Sequence, residues 1–293
     1  MIMSPSGNNI CENFEKFKFF NNQEKISNFN QDIAFGKKFI FKELDERSEF
    51  LQMFALRYFV YRYVNFIESN EDQLDIDYYD LYSTFLGVFE LTDKSKRLIG
   101  MVRIISGDKR SIYSDVIEDI FRNLKDSVIK DFLNRPILFP IMNTFNLPQE
   151  FLNPFNKGKD KNQNNLLEKN SKPFEISRLA IIPEYWSSKE KIEVGLHDLI
   201  ILDSWKSNPK KNIYIIATHP RTRKKYEKLG FEIIPGTTEQ LYKGINQLAI
   251  SMVMNLEDYL NSPNNPYIDR CKSLSKFYSE KRYFMRDSAF LNK

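Results

Sequence analysis

The segment Phe174-Glu175-Ile176-Ser177-Arg178-Leu179-Ala180-Ile181 sets a carboxylate, a hydroxyl and a guanidinium into an otherwise apolar run. Such a run predicts a strand over 174–182. A period of two puts Glu175 and Ser177 on one face and Ile176 and Arg178 on the other, unless a bulge intervenes. A carboxylate set in such a strand can act as a general base or hold a cation. Glu175 is a candidate base; its plainer role is an ion pair with Arg103 or Arg178. A second concentration of charge, Arg221, Arg223, Lys224 and Lys225, puts four cations into five residues. It reads either as a solvated face or as a surface for an acidic partner. His219-Pro220 stands before it, where a histidine more often caps or packs than reacts. Ser177 and His219 do not make a hydrolase, because no G-x-S-x-G elbow is present.

Composition removes other chemistries. The histidines are His197 and His219 and the cysteines Cys11 and Cys271, too few for a zinc cluster or a disulfide framework, so no metal is expected. The chain has 293 residues, with 43 Lys+Arg against 39 Asp+Glu, a net +4 too mild to argue for nucleic acid. Apolar residues at 42% suffice for a real core, and no run approaches the ~18 apolar residues of a membrane helix. The first residues lack a basic stretch followed by an apolar one, so a cytoplasmic protein is expected.

The elements that must hold these groups follow from periodicity. Residues 1–36 are polar and Asn-rich, an N-terminal arm. Lys38–Leu44 alternates like a strand. Asp45 suits an N-cap, and Phe50, Met53, Phe54, Tyr58 and Tyr61 make 46–64 an amphipathic helix. Asn65–Tyr79 is a long acidic loop of the kind that carries function. Thr84–Leu91 and Leu98–Ser106 form a hairpin, and Ser114–Leu133 is helical. Residues 146–172 are a polar insertion. A helix capped by Ser187 or Ser188 runs to about Trp205. Strand Asn212–Ala217, basic helix Pro220–Leu229 closed by Gly230, strand Phe231–Ile234 and strand Ala249–Leu256 complete the order. The pattern is α/β (α+β) with one domain over 37–256 and a C-terminal extension, 257–293, expected to be helical.

Four fragments carry a resemblance: Leu56-Arg57-Tyr58-Phe59-Val60-Tyr61, Leu74-Asp75-Ile76-Asp77-Tyr78-Tyr79-Asp80, Ile99-Gly100-Met101-Val102-Arg103-Ile104 and Phe174-Glu175-Ile176-Ser177-Arg178. In this order they resemble the autoinducer-synthase branch of the GNAT N-acyltransferases: acyl-homoserine-lactone synthases, N-acyl amino acid synthases and exosortase-associated acyltransferases. Tyr226-Glu227-Lys228-Leu229-Gly230-Phe231 resembles the Y-x-x-x-GF ending shared by GNAT enzymes. The resemblance covers roughly 38–256. It implies a central mixed, mostly antiparallel twisted sheet flanked by helices, with a bulge in the strand of Glu175. It also implies that Arg57, Asp77, Asp80, Arg103, Ser177 and Arg178 line an acceptor pocket around Glu175, and that Tyr226 protonates a leaving thiolate. Arg221, Arg223, Lys224 and Lys225 would then dock an acidic acyl carrier protein. No permanently bound cofactor is implied; an acyl-phosphopantetheine thioester is the co-substrate.

Two departures narrow the substrate. Where homoserine-lactone synthases carry a tryptophan, this chain has Asn65-Phe66-Ile67, against S-adenosylmethionine as acceptor and in favour of an amino acid. Where typical GNATs have a glycine-rich pyrophosphate turn, this chain has Trp186-Ser187-Ser188-Lys189-Glu190-Lys191, which favours acyl carrier protein over coenzyme A as donor. The alternatives are a homoserine-lactone synthase and a non-catalytic acyl-binding module.

Overall fold

The computed structural model describes residues 38–92, 95–107, 109–124, 139–147, 173–187, 191–206, 213–242, 245, 247–261 and 283–287. Nine strands make one sheet: β1 Lys38–Glu43, β2 Ser83–Leu91, β3 Lys96–Ile105, β4 Pro173–Ile181, β5 Ile213–Thr218, β6 Glu232–Ile233, β7 Gln240–Tyr242, β8 Gln247–Asn255 and β9 Tyr283–Asp287. Their order is β6-β8-β5-β4-β3-β2-β1-β9, with β7 also on β8. Every pairing is antiparallel except β4 with β5. This is the mixed, mostly antiparallel sheet that the resemblance implies.

Helices cover both faces. Helix α1, Arg47–Tyr63, buries Phe50, Met53, Phe54 and Val60, the apolar positions of its 3.6-residue repeat. It packs with α2, Ser114–Arg122, on the face that carries Phe85 and Arg103. Helix α3, Ile192–Lys206, covers the opposite face, where Gly195 lies so close to the Phe41 ring that a Cβ would fall 2.2 Å from it. A methyl group there would force the helix off the sheet. Helices α4, Arg223–Glu227, and α5, Leu256–Asn261, follow. Beyond β3 a second apolar cluster, Ile105, Phe139, Ile141, Phe145, Leu147, Ile213, Ile215, Ile234 and Ala249, fills the α1 face.

Several expectations shift. The N-cap of α1 is Glu46, without a side-chain bond; Asp45 pairs instead with Lys42 at 2.7 Å, and the Glu49 carboxylate accepts the Asp45 N–H. Helix α2 ends at Arg122, and the remainder of the helix expected to Leu133 falls largely outside the described residues. The basic helix begins as a 3₁₀ turn, Pro220–Thr222, and α4 itself is five residues. The C-terminal extension is not wholly helical: after α5, β9 adds a strand to the free edge of β1. Strand β7 was not expected. The polar arm 1–36 and nearly all of the 146–172 insertion lie outside the described residues.

Candidate functional site

The site forms where β4 leaves one neighbour. Strands β4 and β5 pair only over Pro173–Glu175 with Ile213–Ile215. Beyond Glu175 the ladder between them ends, while β4 continues to Ile181 against β3 and β5 continues to Thr218 against β8. The sheet is therefore split by a wedge with Glu175 and Ile215 at its apex. On its other side β4 carries a bulge. Arg103 faces Ser177 and Met101 faces Ala180, so Val102 alone stands opposite Arg178 and Leu179. Arg178 adopts φ 55°, a left-handed conformation that a side chain disfavours and that surrounding contacts must hold. The extra residue turns Arg178 to the face of Ser177, where simple alternation would have sent it to the opposite one.

That face holds a buried ionic network. Arg57, from the middle of α1, gives Nε to Asp75 at 3.0 Å and Nη1 to Asp80 at 2.7 Å. Arg103, from β3, gives Nη1 to Asp77 at 2.5 Å and to Asp80 at 2.7 Å, and Nε to Ser177 Oγ at 3.0 Å. Arg178 gives Nη2 to Asp77 at 3.2 Å, lies 3.3 Å from Asp75 and stands over the Tyr61 ring. Three aspartates thus meet three arginines. The loop supplying the aspartates is tied locally: Asp75 N–H donates to Phe54 O, and Asp77 and Asp80 form a capping box at the 3₁₀ turn Tyr78–Tyr82. Burial opposes ionisation of Asp75 and Asp77, but the guanidiniums prevail and hold both below the usual carboxylate range. Side-chain exposure is 0% for Arg57 and Asp80, 2% for Arg103, 15% for Arg178 and 20% for Asp77. Arg57, Arg103 and Asp80 therefore pin the 65–82 segment to the sheet, and Asp77 and Arg178 are the members that face accessible space.

Glu175 stands beside this network without joining it. Its Oε2 accepts the Ile141 N–H at 3.0 Å, and among the described residues Oε1 accepts nothing. Burial pushes its pKa up to about 8, against the Ile141 bond and the attraction of Arg103 and Arg178. An ion pair of Glu175 with either arginine, the plainer sequence expectation, is not formed. Tyr79 and Tyr242 interact electrostatically with Glu175, and Asn143 Nδ2 donates to the Tyr79 hydroxyl at 2.7 Å.

Tyr226 lies on the other face of the wedge. Its ring stands edge-on to Phe231 at 5.8 Å and to His197 of α3 at 6.2 Å. Burial raises its pKa so that it stays protonated. Burial likewise lowers His197 to about 4, leaving it neutral. Ile176, the neighbour of Glu175 on this face, lines a small apolar pocket with His197, Ile200, Ile201, Leu229, Phe231, Met254 and Tyr259. All four expected docking cations are exposed; Arg223 pairs with Glu227 at 2.6 Å and Lys225 with Glu193.

Sequence reasoning missed Asp75 as a ligand of two arginines, although it sits two residues before Asp77. It also missed the 139–147 segment over Glu175, and Tyr79 and Tyr242, for which no local pattern gives a signal.

Known proteins were compared with the chain. No curated protein matches it. Among solved structures it is similar to FeeM, an N-acyl amino acid synthase from uncultured soil microbes, at 13% identity and TM-score 0.45, covering 80% of this chain and 97% of that one. It is similar to the AHL synthase LasI at 13% identity and TM-score 0.40, covering 76% and 91%. It is also similar to BjaI, a CoA-dependent acyl-homoserine lactone synthase, at 14% identity and TM-score 0.41, covering 76% and 82%. Residues 56–130, which span the second half of α1, the aspartate segment, β2, β3 and α2, match the acetyltransferase (GNAT) domain model.

Proposed function

We propose that this chain is an N-acyltransferase that moves a fatty acyl group from a phosphopantetheine thioester, on acyl carrier protein rather than coenzyme A, to the amine of an amino acid. The observation that carries it is the wedge between β4 and β5, with a lone titratable carboxyl on one face and a protonated tyrosine on the other. The match of 56–130 to a GNAT domain supports the reaction class.

Amide formation needs a free amine, a held thioester and relief of charge on the tetrahedral oxygen. With the thioester carbonyl in the wedge, the amine approaches from the Glu175 face. Its nitrogen bonds to the carbonyl carbon and its proton passes to Glu175, directly or through one water. A base with a pKa of about 8 is well matched to an amine of similar pKa. Backbone N–H groups that the bulge releases from the β3 ladder meet the developing oxyanion. As the C–S bond breaks, the thiolate takes the Tyr226 proton on the opposite face. A thiol pKa near ~8.5 makes sulfur an adequate leaving group, so this acid assists rather than decides.

The test is thioester consumption. Purified protein is given a mixed acyl-carrier-protein pool with pooled amino acids or with S-adenosylmethionine, and products are read by mass spectrometry. An acylated amino acid is the expected result. A lactone would shift the acceptor to S-adenosylmethionine. Retained acyl carrier with no thiol release would make the protein a binding module.

A further inference from the structure

Tyr242, at the end of β7, packs on the apolar cluster that holds Ile141 and Ile215 beside Glu175. Strand β7 pairs Tyr242 with Gln247 of β8, and β8 pairs with β5, the strand whose Ile215 faces Glu175. The ring packs, half-buried, on the second apolar cluster that surrounds Glu175. Its charged neighbours are Glu175 first, then Arg178, Arg103 and Asp77. Tyr79 approaches the same carboxyl, its hydroxyl oxygen accepting from Asn143 Nδ2 at 2.7 Å. The Tyr242 hydroxyl makes no hydrogen bond among the described residues.

Arg178 has matching spare capacity. Its Nη2 is given to Asp77 and its Nε lies against Asp75, while Nη1 has no partner among the described residues. A guanidinium N–H pair and a phenolic O–H, both in electrostatic contact with the Glu175 carboxyl, offer three unspent donors beside it. The complementary group is a planar anion with two acceptor oxygens, and a carboxylate one or two bonds from the reacting amine fits it. We propose that Tyr242, together with Arg178, binds the carboxylate of the amine acceptor, so that Tyr242 selects amino acids over simple amines. This rests on the acceptor reading given above.

Removing one neutral donor to a charged group weakens binding by roughly five- to twentyfold. For Tyr242→Phe, which keeps the ring, the Michaelis constant for the amino acid should rise by about that factor with the donor's constant unchanged. Calorimetric titration of the full-length protein with N-decanoylglycine, an amide that keeps the carboxylate, and with decanoyl-methylamide, which lacks it, reads binding without turnover. The expected outcome is that the wild type prefers the carboxylate and Tyr242→Phe loses most of that preference at an unchanged melting temperature. A wild-type preference that survives in Tyr242→Phe overturns the role of Tyr242 alone. Equal or absent binding of both probes by the wild type overturns the amino-acid acceptor, and Tyr242's role with it.

Discussion

Two groups of buried carboxylates lie side by side on the α1 face, and they behave in opposite ways. Asp75 and Asp77 are surrounded by Arg57, Arg103 and Arg178 and stay ionised well below their ordinary range. Glu175, two residues before Ser177 in the same strand, has one backbone N–H and no guanidinium in bonding contact, and its pKa rises to about 8. Burial acts on every one of them, and the balance between burial and pairing decides the outcome: Asp80, fully enclosed, is pushed up by burial in spite of Arg57 and Arg103, whereas for Asp75 and Asp77 the guanidiniums prevail and these two serve as fixed anions. The unpaired one titrates where an amine does, so it can serve as a base.

The largest expected effect comes from breaking the paired group. Arg103→Met leaves Asp77 and Asp80 each short of a guanidinium in a dry site, and Ser177 Oγ without its donor. Removing one partner of a buried network costs about 3–5 kcal/mol. Chemical denaturation should show a loss of that size, with the 65–82 segment exchanging amide hydrogen faster. A loss below about 1 kcal/mol would mean the aspartates are more hydrated than their burial indicates.

The unpaired carboxyl should respond in reverse. Glu175→Gln keeps an acceptor for Ile141 N–H and removes the base, so turnover should fall by about 10²-fold with the fold intact. The stability sign follows from linkage. Glu175 has a folded pKa raised from 4.5 to about 8, so the native state binds the extra proton between those values. Its contribution is full below about pH 4.5, is lost as pH rises, and is gone above about pH 8. Wild-type stability should decline over that window relative to Glu175→Gln, while wild-type turnover rises. Parallel pH profiles for the two proteins would contradict the assignment.

A smaller effect belongs to the other face. Tyr226→Phe removes a neutral donor from a leaving group that departs adequately without it, so turnover should drop about three- to tenfold. A slow leaving group, such as an oxygen ester, should widen the gap between wild type and variant. An equal ratio for thioester and oxygen ester would remove Tyr226 from the chemistry.

How much of this was legible in the sequence depends on range. The strand of Glu175, α1 and the hairpin were readable because each has its own period. Arg57, Asp77, Asp80, Arg103, Ser177 and Arg178 could be grouped only through a family resemblance, since the contacts that join them span up to 101 positions. Alternation placed Arg178 on the wrong face, because a bulge depends on the partner strand as much as on the strand itself. The isolation of Glu175 was not visible either. With two arginines near in sequence pattern, an ion pair was the plainer reading. What prevents it is that the aspartates of a distant loop claim the guanidiniums and that Ile141 covers the carboxyl. Tyr242 lies in a three-residue strand too short to show any period.

The smallest effect separates the two halves of the basic run. Arg223 and Lys225 are already bound to Glu227 and Glu193, and a cation held by its own chain offers little field to a partner. Arg221 and Lys224 are exposed and remain available to an acidic carrier. The double reversal Arg221→Glu/Lys224→Glu should raise the Michaelis constant for acyl carrier protein a few-fold at low salt, with wild type and variant converging near ~0.5 M salt as the field is screened. Lys225→Glu should change the salt dependence less, since its charge is already spent on Glu193, and should act mainly through the packing of α3 against α4. A donor constant equally sensitive to both variants would mean that the intrachain pairs open when the carrier arrives. Insensitivity to either would assign the whole run to a solvated face and leave the wedge to select its donor by the phosphopantetheine arm alone.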